Sequence, residues 1–309
     1  MSDKHPLVSI IIPSYNQGDY IRKTIESCLM QDYRPIEIIV IDGASTDDTI
    51  KILQEYDTVP EVRWISEPDH GVAEAVNKGF AVAKGEIAGI QSSDDAYLEG
   101  AVSQAVEQFI ISPDLGLVYA DCVNVNLEGE ELSCFKSSPF TLENFLCKST
   151  LILQPAAFFK LALARSLGGW NAEYFNCDTE MWFRMVFQAP AKKVDRVWGQ
   201  RLIHDEQRNV QGKEIVESTC RMIQKSPHIT NASRRLQRAA TCGRFMTNAV
   251  YGSHRRLLRR YYYWRAFLSF PDILKKRPKL IGQLIPYYWV MYKWRVRFRS
   301  IVGRVIRSL

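Results

Sequence analysis

No stretch of this chain is long and apolar enough to cross a bilayer. A helical span needs ~20 residues; the nearest candidate, "LIGQLIPYYWVMYKW", is interrupted by Gly282, Pro286 and Lys293. No signal peptide is expected, because the apolar run in "MSDKHPLVSIII" is short and leads straight into a strand. The seven cysteines (28, 122, 134, 147, 177, 220, 242) include no Cys-x-x-Cys pair. That spacing suggests neither a zinc site nor a disulfide framework. Scattered thiols, odd in number, are expected to be reduced, which points to the cytoplasm. There is no internal repeat and no low-complexity segment. Acid is scarce at one end: from residue 226 onward the only acidic residue is Asp272.

What is present is an ordinary globular composition with an uneven charge. At 46% apolar and 24% charged residues, global disorder is excluded. The net charge of +6 hides an asymmetry: residues 1–200 hold 16 Lys and Arg against 29 Asp and Glu, and residues 201–309 hold 24 against 5. Two parts with two tasks are expected, 1–215 and 216–309. The basic part is predicted to be helical. Its segments "RRLLRRYYYWRAFLSF" and "IPYYWVMYKWRVRFRS" mix Arg with Tyr, Trp and Phe. That mixture fits a helix lying at an anionic membrane surface, with aromatics at headgroup depth. A solvated bundle packed on the first part is the alternative. Nucleic acid is not expected as a partner, since no recognition motif accompanies the basic composition.

The first part alternates strand and helix. "PLVSIIIPSYN" is apolar on both faces, as a central parallel strand must be, and Pro13 stops it. "DYIRKTIESCLMQ" has helical spacing at Ile21, Ile25, Cys28 and Leu29; "IEIIVID" is a second buried strand. "GASTDDTIKILQEY" predicts a helix capped by Ser45 or Thr46, with Asp47 and Asp48 in its first turn. "VRWISE" is a third strand. "GVAEAVNKGFAVAKG" is a helix closed by Gly85, and "EIAGIQSSDD" is a fourth strand. This rhythm predicts an α/β fold with a mostly parallel, doubly wound sheet. In such sheets ligands bind at the carboxyl ends of the strands, where Ser14-Tyr15-Asn16, Asp42-Gly43, Glu67 and Asp94-Asp95 fall. Two adjacent aspartates there form either a solvated turn or a pair waiting for a cation. After about residue 115 the reading becomes a β-meander in "LGLVYADCVNVN" and "LSCFK". Strand, helix, loop and helix follow through "FRM", and then a final strand or two up to "RLIHDEQR".

Four pieces in order carry a resemblance: "VSIIIPSYNQGDYIRKTIESCLMQ", "IEIIVIDGASTDDT", "GVAEAVNKGFAVAKGEIAGIQSSDDAY" and "LQPAAFFK…LGGWNAEYFNCDTEMWFRM". Together they resemble the family 2 glycosyltransferases, inverting nucleotide-sugar enzymes of the GT-A fold. The resemblance implies a Rossmann-like sheet and a set of roles. Ser93-Asp94-Asp95 matches the DxD-type motif, with Asp95 on a divalent metal, Mg²⁺ or Mn²⁺, and Asp94 near the ribose. Such a hard cation would neutralise both carboxylates along with the diphosphate. Asp42 matches the base-reading position, where a carboxylate accepts the imide N–H of uracil or thymine. Pro13, Tyr15 and Asn16 match the loop on base and ribose, and Asn77 and Lys78 match an element near the donor. Asp178 matches the general base that deprotonates the acceptor hydroxyl, with Glu180 as its competitor and Arg184 further along the same helix. His204 matches a histidine that ligates the metal or contacts the diphosphate. Glu74 departs from the pattern, where relatives often have Asp.

The implied activity is inverting transfer of a sugar from a nucleotide-diphosphate donor, UDP- or dTDP-linked favoured, to a glycan or polyprenyl-diphosphate-linked acceptor in polysaccharide synthesis. The implied place is cytoplasmic, peripheral on the inner face of the cell membrane. Two other readings stay open. A sugar-phosphate nucleotidyltransferase would want a glycine-rich basic loop after the first strand, which "PSYNQGDY" is not. A non-catalytic, membrane-bound nucleotide-sugar binding protein would not need Asp42, Asp95 and Asp178 together.

Overall fold

A computed structural model describes residues 5–204, 211–252 and 255–284. By contacts the chain divides into two compact units, residues 1–140 with 152–210, and residues 141–151 with 211–309. A division drawn from charge alone does not foresee the excursion of 141–151 into the second unit.

The first unit is built on one nine-stranded mixed sheet. Its strands are β1 (Val8–Ser14), β2 (Ile36–Asp42), β3 (Val62–Ser66), β4 (Ile87–Ile90), β5 (Ala96–Tyr97), β6 (Leu117–Val125), β7 (Glu131–Phe135), β8 (Ala157–Lys160) and β9 (Ala191–Leu202). The order is β3-β2-β1-β4-β8-β6-β9-β5, with β7 paired on β6. β1 through β4 run parallel, as the doubly wound pattern requires. β1 is buried along its whole length because helices cover both faces, whereas the edge strand β3 surfaces at its end. The segment expected to form a meander does form an antiparallel hairpin, β6 with β7. β6 also joins the main sheet, antiparallel to β8 and parallel to β9. The final strand is thereby carried back towards the end of β4, and β5 closes the path on β9 through Ala96 and Gln200.

Helices α1 (Ile21–Leu29), α2 (Thr49–Gln54), α3 (Val72–Val82), α4 (Ala101–Ile111), α6 (Leu161–Ser166) and α7 (Cys177–Met185) belong to this unit; α5 (Leu142–Leu146) belongs to the other. α2 starts at Thr49, later than a Ser45 or Thr46 cap would allow. Asp42 and Asn16 hold the Ser45 and Thr46 N–H groups, so that turn is committed before a helix can form. α3 ends at Val82, and Gly85 lies beyond it in the link to β4, its N–H donating to Ser9 Oγ at 2.8 Å.

The second unit contains α5, α8 (Gly212–Lys225), α9 (Pro227–Thr230), α10 (Arg234–Val250), α11 (Arg256–Ser269) and α12 (Ile273–Lys276). Thr141 caps α5 by accepting the Asn144 N–H. Glu143 and Asp272 both pair with Arg235.

Close packing of α3 on β1 depends on Gly79. A Cβ there would lie 2.5 Å from Ile11 Cγ2, the methyl of a β-branched side chain with little rotamer freedom. Gly79→Ala is therefore expected to destabilise by about 1–3 kcal/mol through overpacking. Helix propensity alone predicts a gain of about 1 kcal/mol, so a lowered rather than raised Tm in thermal unfolding checks the contact.

Candidate active site

The parallel register sets three polar residues side by side at the carboxyl edge. Ser14 is the lateral partner of Asp42, and Asp42 of Ser66. Asp42 is fully buried. Its Oδ2 accepts from the Ser45 N–H at 2.9 Å and the Ser66 hydroxyl at 2.7 Å; its Oδ1 accepts from the Ser45 hydroxyl at 2.5 Å. Asp42 thus organises the β2–α2 loop from beneath. The β1–α1 loop is tied to the same place. Asn16, at a left-handed φ of 51°, donates its N–H to Ser45 Oγ at 2.7 Å and accepts the Thr46 N–H at 2.9 Å. Gly18 donates to Asp47 Oδ2 at 2.9 Å.

Above this knot lies an exposed aromatic face. Pro13 is buried, and Tyr15 after it is 60% exposed. Gly43 is flanked by the Tyr15 ring and Asp69 Oδ2; a Cβ on Gly43 would approach them to 3.3 and 2.9 Å. Asp69, fixed by accepting the Gly71 N–H at 2.8 Å, was not foreseen from sequence. The signal was available: it stands three residues beyond the end of β3, on the same sheet edge.

At the end of β4 the two aspartates part. Asp94 bonds His204 Nε2 through Oδ2 at 3.0 Å, and the imidazole stacks on Tyr20 at 5.2 Å between ring centroids. Asp95 turns inward. Its Oδ1 accepts from the Leu202 N–H at 3.1 Å, and its carbonyl accepts from the Thr24 hydroxyl at 2.7 Å. Asp94, Asp95 and His204 are therefore brought together, because β9 ends where β5 begins. Burial, and next the charge of Asp94, push the Asp95 carboxyl well above the usual carboxylate range; Arg201 and the Leu202 N–H oppose this without cancelling it. Among the described residues no three His, Cys, Asp or Glu side chains form a closed metal cage. The donor set fits a hard divalent ion held by one or two carboxylates, with substrate oxygens completing the shell. Asp95 and Asp94 are the carboxylates that would hold it, while the His204 ring expected as a further ligand has its Nε2 on Asp94.

The remaining residues are clamps, ion pairs and the acid at the start of α7. Asn77 grips the backbone of Trp170 from both sides, its Nδ2 donating to the carbonyl and its Oδ1 accepting the N–H, each at 2.8 Å. Gly169 at φ 69° leaves room for that amide. Arg184 holds the same turn through the Leu167 and Gly169 carbonyls. Buried Glu180 accepts from Arg184 Nε at 2.8 Å and Nη2 at 2.6 Å. Lys78 pairs with Glu67 at 2.9 Å and Glu74 at 3.1 Å. Hydrogen bonds from the His70 ring and backbone, with Lys78, hold Glu74 down at about 2. Asp178 is the second residue of α7, half-buried, in the first turn where the helix dipole favours an anion.

A mixed sheet with these acids at its carboxyl edge fits the GT-A arrangement that the resemblance implies. The comparisons agree. Residues 9–151 match the model of glycosyl transferase family 2. Chondroitin synthase from Escherichia coli is 31% identical over 212 residues, 68% of this chain and 31% of that protein. The chain spans a third or less of the length of the chondroitin synthases it matches. The structure of S. aureus TarS 1–349 with UDP-GlcNAc superposes with a TM-score of 0.64 at 18% identity, covering 86% of this chain and 82% of that one. The mannosyltransferase PcManGT from Pyrobaculum calidifontis, in complex with GDP-Man and Mn²⁺, gives 0.58 at 20%, covering 86% of each. At these identities the structural likeness is one of fold. The chain belongs to glycosyl transferase family 2.

The Asp95 environment makes a prediction about stability. A carboxyl whose pKa is raised on folding costs nothing below the ordinary carboxylate range. The cost grows as pH rises from the unfolded pKa towards the folded pKa and is complete above the folded one. In EDTA, Asp95→Asn is therefore expected to raise Tm at neutral pH, and the gain is expected to vanish below about pH 4. Scanning calorimetry across pH checks this; a variant less stable than the parent at neutral pH contradicts it.

Proposed function

We propose that this chain moves a sugar, with inversion, from a nucleotide-diphosphate donor to a hydroxyl of a glycan or lipid-linked acceptor in polysaccharide synthesis. The observation that carries the reading is the Asp94–Asp95–His204 group at the end of β4, held by four different elements of the sheet and its loops. A divalent cation bound there would supply charge stabilisation for the departing diphosphate. Asp95 offers a carboxyl whose anion burial and Asp94 disfavour, so a cation would be welcome there, and His204 fixes Asp94 in place. The chondroitin synthase relative supports a polysaccharide product, and the Mn²⁺-bound neighbour is consistent with a metal.

Tyr15 supplies an exposed ring for base stacking, with Pro13 beneath it. A UDP- or dTDP-linked donor is favoured through Asp42, whose carboxylate would read a pyrimidine imide once Ser45 turns aside. One structural neighbour carries UDP-GlcNAc and another GDP-Man, so the nucleotide is the open variable. Asn16 steadies the same loop. Asn77 and Lys78 support the donor site from α3, Asn77 by fixing the turn before α7 and Lys78 by joining α3 to the end of β3.

Asp178 is the proposed general base. It stands in the first turn of α7, while its competitor Glu180 is spent on Arg184. A base must accept a proton from the acceptor hydroxyl as attack proceeds, and an anion neutralised by a bidentate guanidinium is poorly suited to that. No helix among the described residues is long and apolar enough to cross a membrane. A polyprenyl-diphosphate-linked acceptor would be met at the inner face of the cell membrane, with the basic second unit towards anionic lipid.

Asp178→Asn is expected to lower kcat by about 10²–10⁴-fold while nucleotide binding by calorimetry is unchanged. Glu180→Gln is expected instead to lower Tm by leaving Arg184 poorly matched. Full activity in Asp178→Asn would remove the assignment.

A further inference from the structure

α10 and α11 contain no acidic residue between Arg234 and Phe270. α11 is apolar on two faces. One face is internal to its own unit: Ala266, Phe267 and Phe270 are buried, Tyr262 stacks on Phe245 at 6.5 Å, and Arg265 lies 4.7 Å over the Phe245 ring. The other face is exposed. Leu257 is 73% exposed and Leu268 58%, with Tyr261 and Leu258 also exposed. Positions 257, 261 and 268 are spaced by whole turns and so share one side of the helix. A second apolar stripe has no use in a helix that needs only one to pack.

The charges around that stripe indicate what covers it. Arg260 and Arg265 lie on either side of the stripe around the helix, and among the described residues neither side chain is paired with a carboxylate. The acids of the neighbouring helices are engaged elsewhere: Glu143 and Asp272 are taken by Arg235, and Lys276 also approaches Glu143. Arg265 donates to the Tyr261 hydroxyl at 2.6 Å, which holds a cation beside the stripe. Leucines flanked by arginines and a tyrosine match the headgroup boundary of an anionic bilayer. There the apolar side chains enter the acyl region and guanidinium groups stay with phosphate.

We propose that the Leu257–Tyr261–Leu268 face of α11 is a docking surface for anionic lipid, lying in the plane of the interface without spanning it. This sharpens the membrane contact of the functional reading to one helix face, and its binding energy is independent of transferase chemistry. A polyanion such as nucleic acid would use the arginines but leave the leucines in water, so the leucines discriminate.

The test is flotation of the full chain with phosphatidylcholine vesicles with and without phosphatidylglycerol, at low and high salt. Binding is expected only with phosphatidylglycerol. Leu257→Ser/Leu268→Ser is expected to weaken it about tenfold or more, and Arg260→Glu/Arg265→Glu to weaken it mainly at low salt. Thermal unfolding confirms that each variant is folded, and nucleotide binding on the same samples reads the transferase site separately. The proposal is overturned if the leucine variant binds as the parent does, or if the parent binds an oligonucleotide but no vesicle. Loss of nucleotide binding with vesicle binding intact would sink the transferase reading alone.

Discussion

The site depends on keeping a carboxylate where it is costly. Asp95 sits at the point where a core strand surfaces, inside the protein and beside a second acid. Nothing in the local chain requires this: a solvated turn would have cost less. The burial comes from the sheet. β9 returns along β6 and delivers the Leu202 N–H and His204 to the end of β4, and α1 contributes Thr24. The long route through β6 to β9 positions this group, and a cation bound there would relieve an electrostatic penalty of this kind.

Around that group the motif residues act largely on one another. Asp42 closes its own loop through Ser45 and Ser66, and Asn16 joins a second loop to it. Asn77 from α3 and Arg184 from α7 hold the same glycine turn from two directions. These contacts set where Tyr15 is displayed and where the first turn of α7 begins. Residues that match a family pattern can therefore serve as supports as well as ligand contacts. A polar side chain with all its bonds made within the protein has little left to offer a substrate.

The parallel half of the sheet was legible because its strands are buried on both faces and so read as unbroken apolar runs. The acids at their ends were legible because strand ends of such sheets converge on one edge. The start of α2 was not, since Ser45 looks like a cap until Asp42 and Asn16 claim its turn through space. The place of β6 in the main sheet was not, since pairing with β8 and β9 is set by contacts far along the chain. The grip of Asn77 on Trp170 joins residues 93 apart, beyond anything spacing can reveal. Asp69 was visible as a strand-end acid but had no pattern to single it out. The division of 141–151 from its neighbours leaves no mark in charge or composition.

Calorimetric titration of the purified protein with UDP, dTDP, GDP and CDP, each in Mn²⁺ and in EDTA, tests the central claim most directly. The account predicts binding of a nucleoside diphosphate that depends on the metal and is lost in EDTA. No binding of any of the four by folded protein would contradict it.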